Sequence, residues 1–156
     1  MIRGGWKWTW RPFLYVWAFP NTFLGLVLGL ASRARMEMGE DGILRFLDHP
    51  WLGTAVSLGH VQIYGRENYR QKDGRWVRNR FGHPVVMEEN LHTRQAEVLG
   101  PFYLPLHLLF MTLSLKLCGH THRQNLLEMG PERMAGPWPW QVKESAAAAS
   151  GEIQRW

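Results

Sequence analysis

Hydrophobic and polar positions fall in blocks along this chain. Two apolar runs stand out, 13–31 and 101–117. The first is broken by Pro20-Asn21-Thr22, the second by Pro105 and His107. Between them the pattern shortens. ILRFL, TAVSLGHVQIYG and HPVVM carry β-branched and aromatic residues bounded by glycine, proline and aspartate, the signature of short strands. Asp73-Gly74 lies between the polar arms NYRQK and RWVRN and predicts a hairpin turn. Pro84 lacks an N–H for a sheet ladder, so its strand belongs at an edge. The polar stretch 33–42 reads as a connection. Residues 87–99 read as a helix ended by a glycine cap and a proline stop at Gly100-Pro101. These elements predict an α+β fold with three or four short antiparallel strands in 43–87.

The apolar runs raise the question of a membrane. The first is just long enough for a spanning helix, which needs about 20 residues. Pro20 interrupts the backbone ladder, so a kinked or re-entrant helix fits as well. A buried helix of a soluble domain is the plainer alternative. As a signal peptide the run is long, and SRAR offers no small-residue cleavage site. Gly25 and Gly29 form a GxxxG pair, which permits close helix packing. The second run is short for a span, and its proline suits a re-entrant or interfacial helix. The resulting expectation is an N-terminal membrane segment over 1–35, a small α+β domain over 36–140 with an apolar helix at 101–117, and a flexible tail over 141–156. The localisation expected is the membrane, with the lipid bilayer as partner.

Composition narrows this picture. A chain of 156 residues is one domain, or one domain plus an anchor. A single cysteine, Cys118, excludes an internal disulfide framework and a cysteine-rich zinc cluster. Nine tryptophans and a net charge of +5 suit a protein that meets an interface of anionic headgroups. The basic, aromatic stretch RENYRQKDGRWVRNRFGH also suits nucleic acid. Its arginines are spread over both strand faces, however, and no recognised motif frames them, so the membrane surface is the favoured partner. No G-x-S-x-G and no glycine-rich phosphate loop is present.

The candidate chemistry lies in MEENLHTRQ, 87–95. Residues four apart share a helix face. Glu88 and His92 are therefore stacked one turn apart, with Glu89 leaning to the same side and Gln95 extending the face. This spacing is that of H-E-x-x-H, in which two histidines hold zinc and the glutamate activates its water. Glu88 stands where the first histidine would be, and a carboxylate is an acceptable zinc ligand. The plainer reading is a solvated acidic patch paired with Arg94. A third ligand must come from elsewhere. Glu128 ranks first, because the chain can return antiparallel after the second apolar run. His60 ranks second, on the strand beneath the helix, and His120 with His122 third. His83 and His107 read as structural, although an ionisable group in an apolar run is unusual.

This segment resembles a family of small bacterial membrane proteins that carry an H-E-x-x-H-x-R-Q helix followed at once by Gly-Pro and an apolar segment. Glu89, His92, Arg94, Gln95, Gly100 and Pro101 match that pattern in order and spacing. Leu58-Gly59-His60-Val61 resembles the strand that commonly precedes the helix there, and PNTFLGLVLGL the N-terminal apolar segment. The family brings no established reaction with it, and Glu88 departs from its pattern. The function expected is a membrane-associated, zincin-like, zinc-dependent hydrolase of peptide bonds. Glu88, His92 and Glu128 or His60 would hold zinc, and Glu89 would be the base. The alternative is a membrane scaffold of the same fold with a degenerate metal site.

Overall fold

The computed structural model describes residues 11–134 apart from 40, 72, 80 and 123. The expected tail at 141–156 and the basic, tryptophan-rich segment 1–10 lie outside the described residues. In chain order the elements are helices α1 (Arg11–Trp17) and α2 (Phe19–Ala31), then strands β1 (Arg35–Met38), β2 (Leu44–His49), β3 (Ala55–Leu58) and β4 (Val61–Gly65). Helix α3 (Val85–Leu99), a 3-10 turn (Gly100–Phe102), and helices α4 (Tyr103–Cys118) and α5 (Leu126–Met134) complete them. The fold is α+β, as its sequence predicts.

The sheet is mixed rather than antiparallel. Its order is β1-β2-β4-β3, and β2 pairs with β4 in parallel. The reason lies in β4, where all five residues are buried. A strand buried on both faces takes a central position. The Gly59-His60 turn, with Gly59 at φ 64°, folds β4 back antiparallel onto β3 and leaves its other edge for β2. Two further expectations change. The stretch 33–42 contains the edge strand β1, fully exposed and guarded by Arg35 and Glu37, which discourages pairing with other chains. HPVVM is no strand: Pro84 makes an isolated bridge to Arg78, and Val85 opens α3. The Asp73-Gly74 turn is present, with Gly74 at φ 84° and the Gln71 N–H donating to the Arg75 carbonyl at 2.8 Å.

Helices cover both faces of the sheet, and one of them corrects the expectation of an N-terminal membrane helix. The apolar run is divided at Ala18, and α2 has 13 residues, about 20 Å at 1.5 Å per residue, against a hydrocarbon core of about 30 Å. Its Asn21, Gly25 and Gly29 are buried against the rest of the protein. Gly25 lies on Val61 and Leu58, and Gly29 on the Phe46 ring. This contact is the edge of the core cluster Phe46, Val61 and Ile63, packed by Leu26, Leu44 and Val56. The polar interruption is the docking point. Asn21 Nδ2 donates to the Gly100 carbonyl at 2.7 Å, and the His60 N–H donates to Thr22 Oγ1 at 3.1 Å. The GxxxG pair thus packs a helix on a sheet.

The opposite face holds α3 through polar groups. Gln62 is wholly buried. Its Oε1 accepts from Tyr64 and from Arg45 Nε, and its Nε2 donates to Asn90 and Thr93. Arg45 is paired with Asp41. Burial opposes the charge on Arg45, but the Asp41 carboxylate more than offsets this and holds its pKa above the usual value. A satisfied network of this kind fixes the register of helix on sheet.

The helical run Val85–Cys118 contains the one described segment long and apolar enough, by length and composition, to cross a membrane. Its apolar part is α4, which leaves Leu108, Leu109, Leu113, Leu115 and Leu117 exposed. Phe19, Phe23, Leu24, Val27 and Leu28 are likewise exposed on the outer side of α2.

Candidate metal centre

The centre is built from α3, α4, α5 and the loops before α3 and α5. Glu88 and His92 lie one turn apart on α3. Asn79 folds the loop before the helix, its Oδ1 accepting from the Phe81 and His83 N–H groups, and its Nδ2 donates to Glu88 Oε2 at 2.7 Å. On the far side of His92, Gln95 Oε1 lies 2.9 Å from Nδ1. An amide oxygen only accepts, so Nδ1 carries the proton and Nε2 is turned toward the centre, the arrangement a metal-binding histidine needs. The same Gln95 donates through Nε2 to the Leu127 carbonyl at 2.9 Å. One side chain therefore orients His92 and ties α5 to α3.

Glu128 arrives from the first turn of α5. Asn125 caps that helix, its Oδ1 accepting from the Leu127 N–H at 3.0 Å. The preceding loop is held by Ser114 of α4, which donates to the His120 carbonyl and accepts from the Gln124 N–H. Side-chain atoms of Glu88, His92 and Glu128 all lie within 4.8 Å of one another, so these three residues can hold a metal ion. His92 Nε2 is 3.4 Å from Glu128 Oε2. The other oxygen, Oε1, is 3.1 Å from His107 Nε2 and 3.4 Å from His122 Nδ1.

The charges are strongly coupled. Burial raises the Glu128 carboxyl, but hydrogen bonds from His107, His122 and His92 hold it well below the usual carboxylate range. Burial disfavours protonated His92, yet Glu128 and the Glu89 charge raise it to about 9. Glu89 moves the other way. Its burial dominates over the help of His92 and of the Ser57 hydroxyl, which donates to Oε2 at 2.7 Å, and its pKa rises to about 7. A carboxyl near neutrality suits proton transfer at physiological pH.

The residues singled out in the sequence are thus partly brought together. Glu88, His92 and Glu128 meet here, with His122 on Glu128, while the buried Glu89 carboxyl beside them is held by Ser57 of β3. His60 does not join them, and its candidacy as a ligand is corrected. It sits in the β3–β4 turn, its Nε2 paired with Glu97 at 3.1 Å and its ring stacked on Tyr15 at 4.1 Å. The turn points it at the C-terminal half of α3, more than a turn beyond His92. His120 takes part through its carbonyl, and His83 through its N–H to Asn79. His107 was read as structural, and it approaches Glu128 more closely than His92 does. The available signal was a histidine alone on an apolar helix, four residues after Tyr103, whose ring it contacts.

His92, Glu89 and Glu128 are buried, Glu88 and His107 are half-buried, and His122 is exposed, so the open side of the centre is toward the His122 loop. An apolar groove of about 410 Å³ runs beside it, lined by Leu91, Arg94, Gln95, Val98, Leu99, Gly130 and Pro131. Elsewhere, in the basic hairpin, Arg70 lies over the Trp76 ring at 4.0 Å, which occupies a face that a nucleobase would need. The chain matches no protein-family model, no curated protein sequence and no solved structure.

Proposed function

We propose that this protein is a membrane-associated, zincin-like metallohydrolase acting on peptide bonds. The observation that carries the reading is the convergence of Glu88, His92 and Glu128, from two helices, on one metal-sized space. Histidine and carboxylate donors suit zinc. Bound there, zinc would polarise the scissile carbonyl and acidify a water molecule. Glu89, next on the helix and near neutrality, would serve as the base for that water's proton. Gln95 orients His92, Asn79 orients Glu88, and the Asn125 cap with Gln95 places Glu128. The likeness of the Glu89–Pro101 pattern to small bacterial membrane proteins supports the membrane setting. Membrane association rests on the exposed apolar residues of α2 and α4, which lie against the bilayer as interfacial elements with the basic loops toward anionic headgroups.

The rival reading is a membrane scaffold in which Glu128 and its histidines form a closed ionic knot. The burial of His92, Glu89 and Glu128 favours it. Cleavage of a peptide library in mixed detergent–lipid micelles separates the two. Metal-dependent cleavage that Glu89→Gln reduces at least 100-fold supports the enzyme. Cleavage absent from the zinc-loaded wild type, or unchanged in Glu89→Gln, leaves the scaffold.

A further inference from the structure

We propose that His107 is a ligand of the metal, taking in space the part of the histidine that Glu88 displaces on α3. This rests on the metal-centre reading above and names a donor from a different helix, α4. Three observations carry it. The His107 Nε2 atom lies 3.1 Å from Glu128 Oε1, while His92 Nε2 lies 3.4 Å from Oε2 of the same carboxylate. Two donors that share a tetrahedral zinc at bonds of about 2.0–2.1 Å are separated by about 3.3–3.4 Å. Both contacts are therefore of the size expected between neighbouring ligands, as well as of a hydrogen bond.

The second observation is the approach of the two rings. His92 and His107 meet edge to face, with centroids 5.9 Å apart. Each presents its Nε2 to one oxygen of the Glu128 carboxylate, His92 to Oε2 and His107 to Oε1. The third is the cost of the position. Before Lys116, α4 carries two ionisable side chains, Tyr103 at its start and His107, on a helix made mostly of leucine and other apolar residues. The His107 Nδ1 is buried without a partner. A leucine at 107 would avoid leaving that nitrogen unsatisfied. A histidine kept at such a place is accounted for by a bond that leucine cannot make. With His92, His107 and Glu128 as donors, the set becomes two histidines and one glutamate, the donor set of a catalytic zinc that keeps a position for water. Glu88, hydrogen-bonded to Asn79, then stands beside the metal as an accessory carboxylate.

The test is zinc affinity of the full-length protein by competition with a chromophoric chelator, for the wild type, His107→Ala, Glu88→Gln and His122→Ala. Loss of an outer-shell partner costs about 10–100-fold in metal affinity. A ligand must cost more, so His107→Ala is expected to weaken zinc by more than 100-fold, and Glu88→Gln and His122→Ala by less. A loss of 100-fold or less in His107→Ala overturns the proposal. If Glu88→Gln is then the variant that loses zinc, the three-residue centre stands with Glu88 as its ligand. If the wild type binds no zinc, the metal reading itself fails, and this proposal with it. Should His107→Ala misfold, His107→Cys loaded with cobalt gives a direct readout. A thiolate at a ligand position produces sulfur-to-cobalt charge-transfer absorption in the near ultraviolet, which cobalt-loaded wild type, with its native Cys118, must lack. A folded, cobalt-binding His107→Cys without that band refutes ligation by position 107.

Discussion

Gly29→Ala tests whether α2 belongs to the folded domain, because the two accounts of that helix predict opposite signs. In a free membrane or interfacial helix, alanine replaces glycine with a gain of about 1 kcal/mol of helix propensity. In the structure a Cβ at position 29 would meet three atoms of the Phe46 ring at 2.3, 2.4 and 2.5 Å. Carbon atoms in good contact are about 3.5–4.0 Å apart, so the overlap exceeds an ångström. Phe46 cannot yield easily, because it is 1% exposed and packed on Val61 and Ile63. Overpacking of a filled core costs about 1–3 kcal/mol, and this overlap belongs at the upper end. Subtracting the propensity gain leaves a net loss of about 2 kcal/mol, or a Tm lower by about 4–8 °C for a chain of this size. Gly25→Ala is the graded control, since its nearest contact is 2.8 Å, to Val61. The assay is thermal unfolding in mild detergent followed by near-ultraviolet circular dichroism. In a double-mutant cycle with Phe46→Leu, the smaller side chain should recover part of the Gly29→Ala loss. A Tm for Gly29→Ala equal to or above wild type would refute the docking of α2 on the sheet.

Two further predictions follow from the charges and the apolar faces. Metal-free protein should be most stable near about pH 4.5 and should weaken from there toward pH 9. His92 is raised to about 9 from an unfolded value of about 6.5, so its contribution is present below 6.5 and is lost on the way to 9. Glu89 is raised to about 7, so deprotonation costs stability from about pH 4.5 upward, while depressed Glu128 loses its contribution only as pH falls below about 4.5. Tm measured against pH with chelator and with zinc checks this. Zinc replaces the proton on His92, so the alkaline decline should flatten, and a metal-free profile rising from pH 6.5 to 9 would contradict the assignments. On the outer face, Leu109→Glu with Leu113→Glu should reduce binding to anionic vesicles at least tenfold while leaving zinc affinity unchanged. Both leucines are exposed on α4, and apolar insertion resists salt where basic adhesion does not. Undiminished binding would move the membrane contact elsewhere.

The elements that were legible in the sequence are those whose signal is local. The Gly100-Pro101 stop and the one-turn spacing of Glu88 and His92 need no knowledge of the fold. The Asp73-Gly74 turn is equally local. The parallel pairing of β2 with β4 was not legible, because both strands show the same β-rich composition and only their position decides the partner. The start of α3 was misread because Val85 and Val86 favour strands, while Pro84 and the Asn79 loop turn them into a helix. The role of α2 was hidden for a similar reason. Its apolar outer face and its glycine face read together as a membrane segment, and only the sheet shows that Gly25 and Gly29 leave room for Val61 and Phe46. At the centre, Glu128 could be ranked first because the chain must return after α4. His60 was ranked second on the assumption that its strand lay under the helix, whereas it occupies a turn that reaches Glu97. His107 could not be placed, since its meaning depends on the angle at which α4 leaves α3.

Zinc content of the purified protein, compared with His92→Ala, tests the central claim most directly. His92 is the one histidine of the Glu88–His92–Glu128 group, with its Nε2 turned inward by Gln95. The account predicts about one zinc per chain in the wild type by elemental analysis, as a single three-residue site requires, and loss of it in a folded His92→Ala. A wild type without zinc after reconstitution, or a His92→Ala that keeps the full wild-type content, would contradict it.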